Sequence, residues 1–167
     1  IGFYVEATDS LGNALRSPRA APDQTHVIRI VNAAGLVGDH TRILLDQATT
    51  DELNSRQLQS NDLLHGTFVL NESEVFYNVG VRYRGSPWGR GARTNFRVRF
   101  APDRPFLRGV RELNLTSNNL QAIGSGEAAA YFLIGRVGTP ESRTAVPDYF
   151  YVDSRFNERS LGMQAAF

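Results

Sequence analysis

The chain has 167 residues, 41% hydrophobic and 21% charged, which suits one domain of ordinary size with a well-filled core. It lacks cysteine, which excludes disulfides, thiolate nucleophiles and Cys-ligated zinc, and it has no run of about 18 apolar residues, which excludes a helical membrane span. All 18 basic residues are arginine, so lysine Schiff bases and lysine general bases are excluded, while bidentate binding of anions is not.

In chain order, a strand pattern over Gly2 to Thr8 is followed by the turn S-L-G-N, the Pro-rich connection S-P-R-A-A-P-D and a second strand, T-H-V-I-R-I-V. Residues 1–38 therefore read as a unit of their own, ending in a linker from Asn32 to Asp39 with Gly35 and Gly38. This unit resembles the last strands of a bacterial β-sandwich module of the fibronectin or immunoglobulin type. The start at Ile1, the single Met163 and strand patterns at both ends read as a piece of a longer protein.

Arg42 to Asp46 is a short apolar run, predicted as a strand. Asp51 to Leu58 is predicted as a helix, with Thr49 or Thr50 as its N-cap and acids in its first turn. Strands are predicted over Thr67–Leu70, Val75–Arg84, Arg93–Phe100 and Arg111–Leu115. A helix is predicted from Ser125 to about Val137, with Ala130, Leu133, Ile134 and Val137 as an apolar stripe for packing, stopped by Gly138 and Pro140. Asp148–Asp153 and Leu161–Phe167 read as a closing hairpin.

The most informative stretch runs from Val75 to Phe100. Val79, Val81 and Tyr83 share one strand face and Arg82 and Arg84 the other; Phe96, Val98 and Phe100 oppose Arg93, Asn95, Arg97 and Arg99 in the same way. A side-chain period of two predicts an apolar face on a core and an arginine face opposite. From Arg82 to Arg111 there are nine arginines and one acid, so the other nine basic residues face sixteen acids elsewhere. The overall charge of +1 hides a strongly positive segment that concentrates anions, or else a solvated outer sheet face laced to acids.

Five motifs in order carry a wider resemblance. They are V-R-Y-R-G-S at Val81–Ser86 with an aromatic-glycine loop after it, R-x-N-F-R-V-R-F at Arg93–Phe100, R-E-L-N-L-T-S-N at Arg111–Asn118, Glu127 at the head of its helix, and the aromatic strand-turn-strand Tyr149–Gly162. Together they resemble the spore-coat protein H type (CotH) family of atypical protein kinases, from about Thr41 to the end. The resemblance makes residues 39–167 the N-terminal part of a kinase-like domain. The expected fold class is α+β: a mostly antiparallel sheet with one main packed helix, preceded by the β-sandwich remnant.

What the resemblance implies is phosphoryl transfer from ATP, with Mg2+, to protein Ser/Thr in a secreted or surface protein of bacteria, such as a spore coat. It assigns nucleotide binding to Arg84, Gly85, Ser86, Arg93 and Glu127, with Arg93 in the place of a family lysine and Glu127 as its helix partner. The family's metal-binding and catalytic aspartates lie beyond Phe167, so no catalytic residue is assigned here. Read from the residues alone, Arg84–Ser86 is equally a strand end and turn, Arg93 a surface arginine, and Glu127 a complement to the helix dipole. Trp88 is suited to stacking on an adenine or on a carbohydrate, although a tryptophan in such a loop more often covers a core edge.

The alternative function is a non-catalytic surface or coat module that binds an anionic partner through the arginine face. Nucleic acid is disfavoured as that partner, because no aromatic series alternates with the arginines. His26, His40 and His65 lack metal-ligand spacing and read as ordinary polar residues.

Overall fold

The computed structural model describes residues 1–28, 39–86, 90–116, 125–138, 144–152 and 158–166. Residues 1–28 form two small antiparallel sheets. One pairs β1 (Gly2–Phe3) with β4 (His26–Val27), and the other pairs β2 (Val5–Thr8) with β3 (Ala14–Ser17). The rest of the described chain contains β5 (His40–Leu44), α1 (Gln47–Ser55), β6 (Leu64–Leu70), β7 (Glu74–Tyr83), β8 (Phe96–Arg99), a 3-10 turn (Leu107–Gly109), β9 (Glu112–Leu115), α2 (Ser125–Arg136), β10 (Thr144–Val152) and β11 (Glu158–Ala166).

The class is α+β, with a mostly antiparallel sheet. That sheet curls into a closed barrel in the order β10-β11-β9-β8-β7-β6-β5, and β5 meets β10 in parallel to complete the ring. The seam between β9 and β11 is short, pairing only Leu115 with Ala165 and Asn114 with Ala166. The strand pattern was visible in the sequence, but the closure was not. The β5–β10 contact joins residues about a hundred positions apart, and no local pattern encodes it.

The core lies on the inward faces. Phe68, Phe76, Phe100 and Phe106 form a ring cluster, with Phe68 and Phe76 edge-on to Phe100 at 5.2 and 5.3 Å and Phe106 stacked on Phe100 at 5.0 Å. Val79, Val81, Tyr83, Phe96 and Val98 are buried beside them, as the period of two predicts. One irregularity sets that phase. Between the pairs Phe68–Phe76 and Gly66–Val79 the register shifts, with Asn78 in the left-handed region at φ 57. The extra residue lets Phe76 and Val79, three apart, both point inward.

β5 and most of β6 are buried on both faces. Ile43 and Phe68 face the barrel core, while Leu44 and Val69 pack on the other side with Val27 of β4 and Val75. Such runs do not alternate, because neither face meets water. The N-terminal unit covers this side of the barrel through Val27 and an aromatic cluster of Phe3, His26, His65 and Tyr77.

Helix α1 begins four residues earlier than predicted. Its N-cap is Asp46, not Thr49 or Thr50, which are buried within the helix. Asp46 Oδ1 accepts from the Thr49 N–H and Oδ2 from the Thr25 N–H, both at 2.8 Å, so one carboxylate caps the helix and ties down the N-terminal unit. Helix α2 forms where expected, but its stripe is not the packing face predicted: Leu133, Ile134 and Val137 are 63%, 38% and 78% exposed. Among the described residues the core cluster comes mainly from strand side chains, joined by Leu53 of α1 and by Phe106, and this stripe is not part of it.

His26 and His65 lie 5.1 Å apart, ring to ring, where the N-terminal unit meets β6. Burial, then the charge of His26, pushes His65 down to about 4 against the opposing pull of Asp46. Burial also lowers His26, partly offset by a hydrogen bond with Ser17. Above the ordinary histidine range both rings are neutral whether docked or not, and their burial carries no protonation penalty. As pH falls from about 6.5 towards 4, the unfolded chain takes up protons that the folded chain refuses, so stability drops with pH. Urea denaturation at pH 7.5 and pH 5 should give a lower midpoint at pH 5, and His65→Gln should flatten that difference.

Candidate functional site

Strands β7 and β8 run antiparallel, with Arg82 opposite Arg97, and β9 follows with Asn114 opposite Arg97 and Glu112 opposite Arg99. The inward residues of these strands, Val81, Tyr83, Phe96, Val98, Leu113 and Leu115, are all buried. Their alternating neighbours therefore form the outer face, and the predicted arginine face is on the outside of the barrel. Glu112 is the acid within it, pairing with both Arg97 and Arg99, the latter at 2.6 Å.

Burial, and after it the positive charges of Arg90, Arg97, Arg99 and Arg56, lowers the Arg82 guanidinium below its ordinary value. Burial and then Arg99 and Arg84 do the same to Arg97. These groups stay charged at any ordinary pH; the lowering reflects partial burial first and mutual repulsion second.

The loop from Arg84 to Asn95 closes the β7–β8 hairpin at one rim of the barrel. Arg84 donates its backbone N–H to Asn95 O at 2.9 Å, and its Nη1 reaches Thr116 Oγ1 at 2.5 Å. Gly85 has φ +111, a conformation that suits glycine, and Ser86 is exposed. Arg93 sits in the left-handed region at φ 52 and donates to the Asn54 carbonyl at 3.0 Å and to Asn54 Oδ1 at 3.3 Å. The structure thus gathers Arg84, Gly85, Ser86 and Arg93 at one rim, beside the end of α1. Glu127 lies in the first turn of α2, but its side chain, and with it the expected pairing with Arg93, lies outside the described residues. So does the stacking role expected of Trp88.

Arg90 is the residue that sequence reasoning missed. It is buried, and its guanidinium donates to the carbonyls of Gly85, Leu58 and Ser60 and to Asn61 Oδ1 at 2.8–3.2 Å. One planar fork thereby fastens the β7–β8 loop to the connection between α1 and β6. Glycines on both sides gave no hint of it, because three of its four acceptors stand about thirty residues earlier in the chain.

Chemically, the rim and the outer face offer cationic N–H donors and hydroxyls, which bind and orient oxyanions. Arginine cannot serve as a general base. Among the described residues no group of three or more His, Cys, Asp or Glu is placed to hold a metal ion. No protein-family model matches the chain, and no curated protein shows significant similarity to it.

Replacing Arg90 by Ala leaves four acceptors without their donor and frees the loop. The expected loss is about 2–3 kcal/mol of unfolding free energy, read by urea denaturation. Arg90→Lys should recover little of it, since an ammonium cannot span the same acceptors.

Proposed function

We propose that this chain is the N-terminal part of a CotH-like atypical protein kinase domain. In its complete parent, the domain transfers the γ-phosphoryl of ATP to Ser or Thr of a protein partner, in a secreted or surface protein of bacteria such as a spore-coat component. The observation that supports the reading is the meeting of separate motif segments at one rim. V-R-Y-R-G-S ends β7, F-R-V-R belongs to β8 and E-L-N-L to β9, and Arg84 of the first bonds Thr116 just after the last.

In this reading the rim is a phosphate cradle. Arg84 and Arg93 supply bidentate charge, Ser86 adds a hydroxyl, and Gly85 lets phosphate oxygens approach the backbone. Glu127 would orient Arg93 as a helix glutamate orients the cation of a kinase. Magnesium would neutralise charge on the bound phosphates. The resemblance assigns its ligands to aspartates after Phe167 of the parent. What the residues of this chain do is bind and orient; none of them is given a proton-transfer step.

Titration calorimetry of the parent protein with Mg·ATP tests this. Saturable binding is expected, weakened at least tenfold by Arg84→Ala and by Arg93→Ala. Absence of binding in the unmodified parent, or binding indifferent to both substitutions, overturns it.

A further inference from the structure

The outer face of β7, β8 and β9 has an order of which nucleotide binding uses only the rim residue, Arg84. Viewed along the strands, it has three levels. Arg84 stands at the rim, Arg82 and Arg97 stand side by side at the middle level, and Arg99 stands at the far level with Glu112 beside it. Successive outward residues on one strand are about 6.6–6.8 Å apart. The face therefore offers an arginine at each of three levels over a span of roughly 13 Å.

Three observations show that this charge is poorly compensated from within. Like charges directly opposite one another on a sheet are destabilising, and Arg82 faces Arg97 in that way. Arg82 donates from Nη1 to the Tyr83 carbonyl at 3.0 Å, and no carboxylate of the described residues pairs with Arg82 or Arg84. The Nε of Arg97 is buried without a hydrogen-bond partner, and Glu112 is shared between Arg97 and Arg99. Four arginines against one glutamate leave the patch with a surplus of positive charge that an external anion would relieve.

We propose that this face docks an extended acidic segment of a partner protein, with carboxylates at every second residue. Side chains on one side of an extended polypeptide recur with the same two-residue spacing as the arginine levels. Three alternate carboxylates would meet Arg84, the Arg82–Arg97 pair and Arg99, each as a charge-assisted and potentially bidentate contact. Asn114 and Thr116, half-buried at the flank, present amide and hydroxyl groups to the backbone of the segment. The occupant is a peptide strand lying along the β7–β8 seam; it shares only Arg84 with the rim cradle, and its contacts with Arg82, Arg97 and Arg99 need no nucleotide.

The test is fluorescence anisotropy with a labelled peptide of alternating glutamate and threonine, titrated with the whole chain in the absence of nucleotide. Saturable binding that weakens steeply with salt is expected. The double variant Arg82→Gln/Arg97→Gln should weaken binding at least tenfold, whereas Arg16→Gln, on the β2–β3 sheet where it pairs with Glu6, should not. Glu112→Gln frees Arg97 and Arg99 and should tighten binding. These opposite signs cannot both arise from loss of fold. Unchanged affinity in the double variant overturns the proposal. So does equal binding of a peptide of the same composition with its glutamates in one block, or binding of inorganic polyphosphate without binding of the peptide. Loss of Mg·ATP binding in the parent would leave these results untouched, so the two readings fail separately.

Discussion

Strand β5 pairs with β10 in parallel, from His40 opposite Asp148 to Leu44 opposite Val152, and that pairing turns an open sheet into a ring. A ring has an inside and an outside. The inside admits only side chains that pack, and the phenylalanine cluster of Phe68, Phe76, Phe100 and Phe106 fills it with β-branched and leucine neighbours. Everything that cannot enter must be on the outside or at a rim. The arginines of β7 and β8 therefore converge on one outer surface because the alternate positions of those strands fill the core.

The outside is itself divided. Over β5 and β6 it is apolar and covered by residues 1–28, with Val27 on Leu44 and Val69 and the Phe3–His26–His65–Tyr77 cluster beside them. Over β7 to β9 it is cationic. Single polar side chains stitch these regions together. Asp46 caps α1 and holds the Thr25 amide with the same carboxylate, and Arg90 holds the β7–β8 loop to the chain between α1 and β6. Each replaces several weak contacts by one group whose hydrogen-bonding capacity is well used, which is the condition for burying a charge at tolerable cost.

The two functional readings use neighbouring parts of this architecture. The rim gathers donors at the end of a hairpin, beside a glycine with positive φ, and suits a compact, highly charged phosphate group. The outer face spreads its donors along the strands at the spacing of a polypeptide and suits a long ligand. Repulsion between Arg82 and Arg97 is tolerated because the strands beneath are fixed by core packing; a looser hairpin would splay. The same rigidity preorganises the face, which lowers the ordering cost for any segment that binds it.

The period-two patterns of Val79–Tyr83 and Phe96–Phe100 were legible in the sequence, and so was the sidedness of the arginines, because alternation along a strand is a local property. The α+β class, the helix from Ser125 and most strands were legible for the same reason. The N-cap was misread because Asp46 reads locally as the end of a strand; its carboxylate instead caps the helix at Thr49 and also holds the Thr25 amide, a contact twenty-one residues away. The exposed stripe of α2 was misread because an amphipathic pattern says that a face can be buried, not that a partner surface is there. Arg90 and the Arg84–Thr116 bond were invisible, since their partners lie about thirty residues away. The sequence by itself determined which residues face inward and that a basic hairpin exists. Only the tertiary structure decided that the sheet closes, which arginine is a buried clip and which stand on the outer face, because those facts depend on contacts between segments that no local periodicity couples.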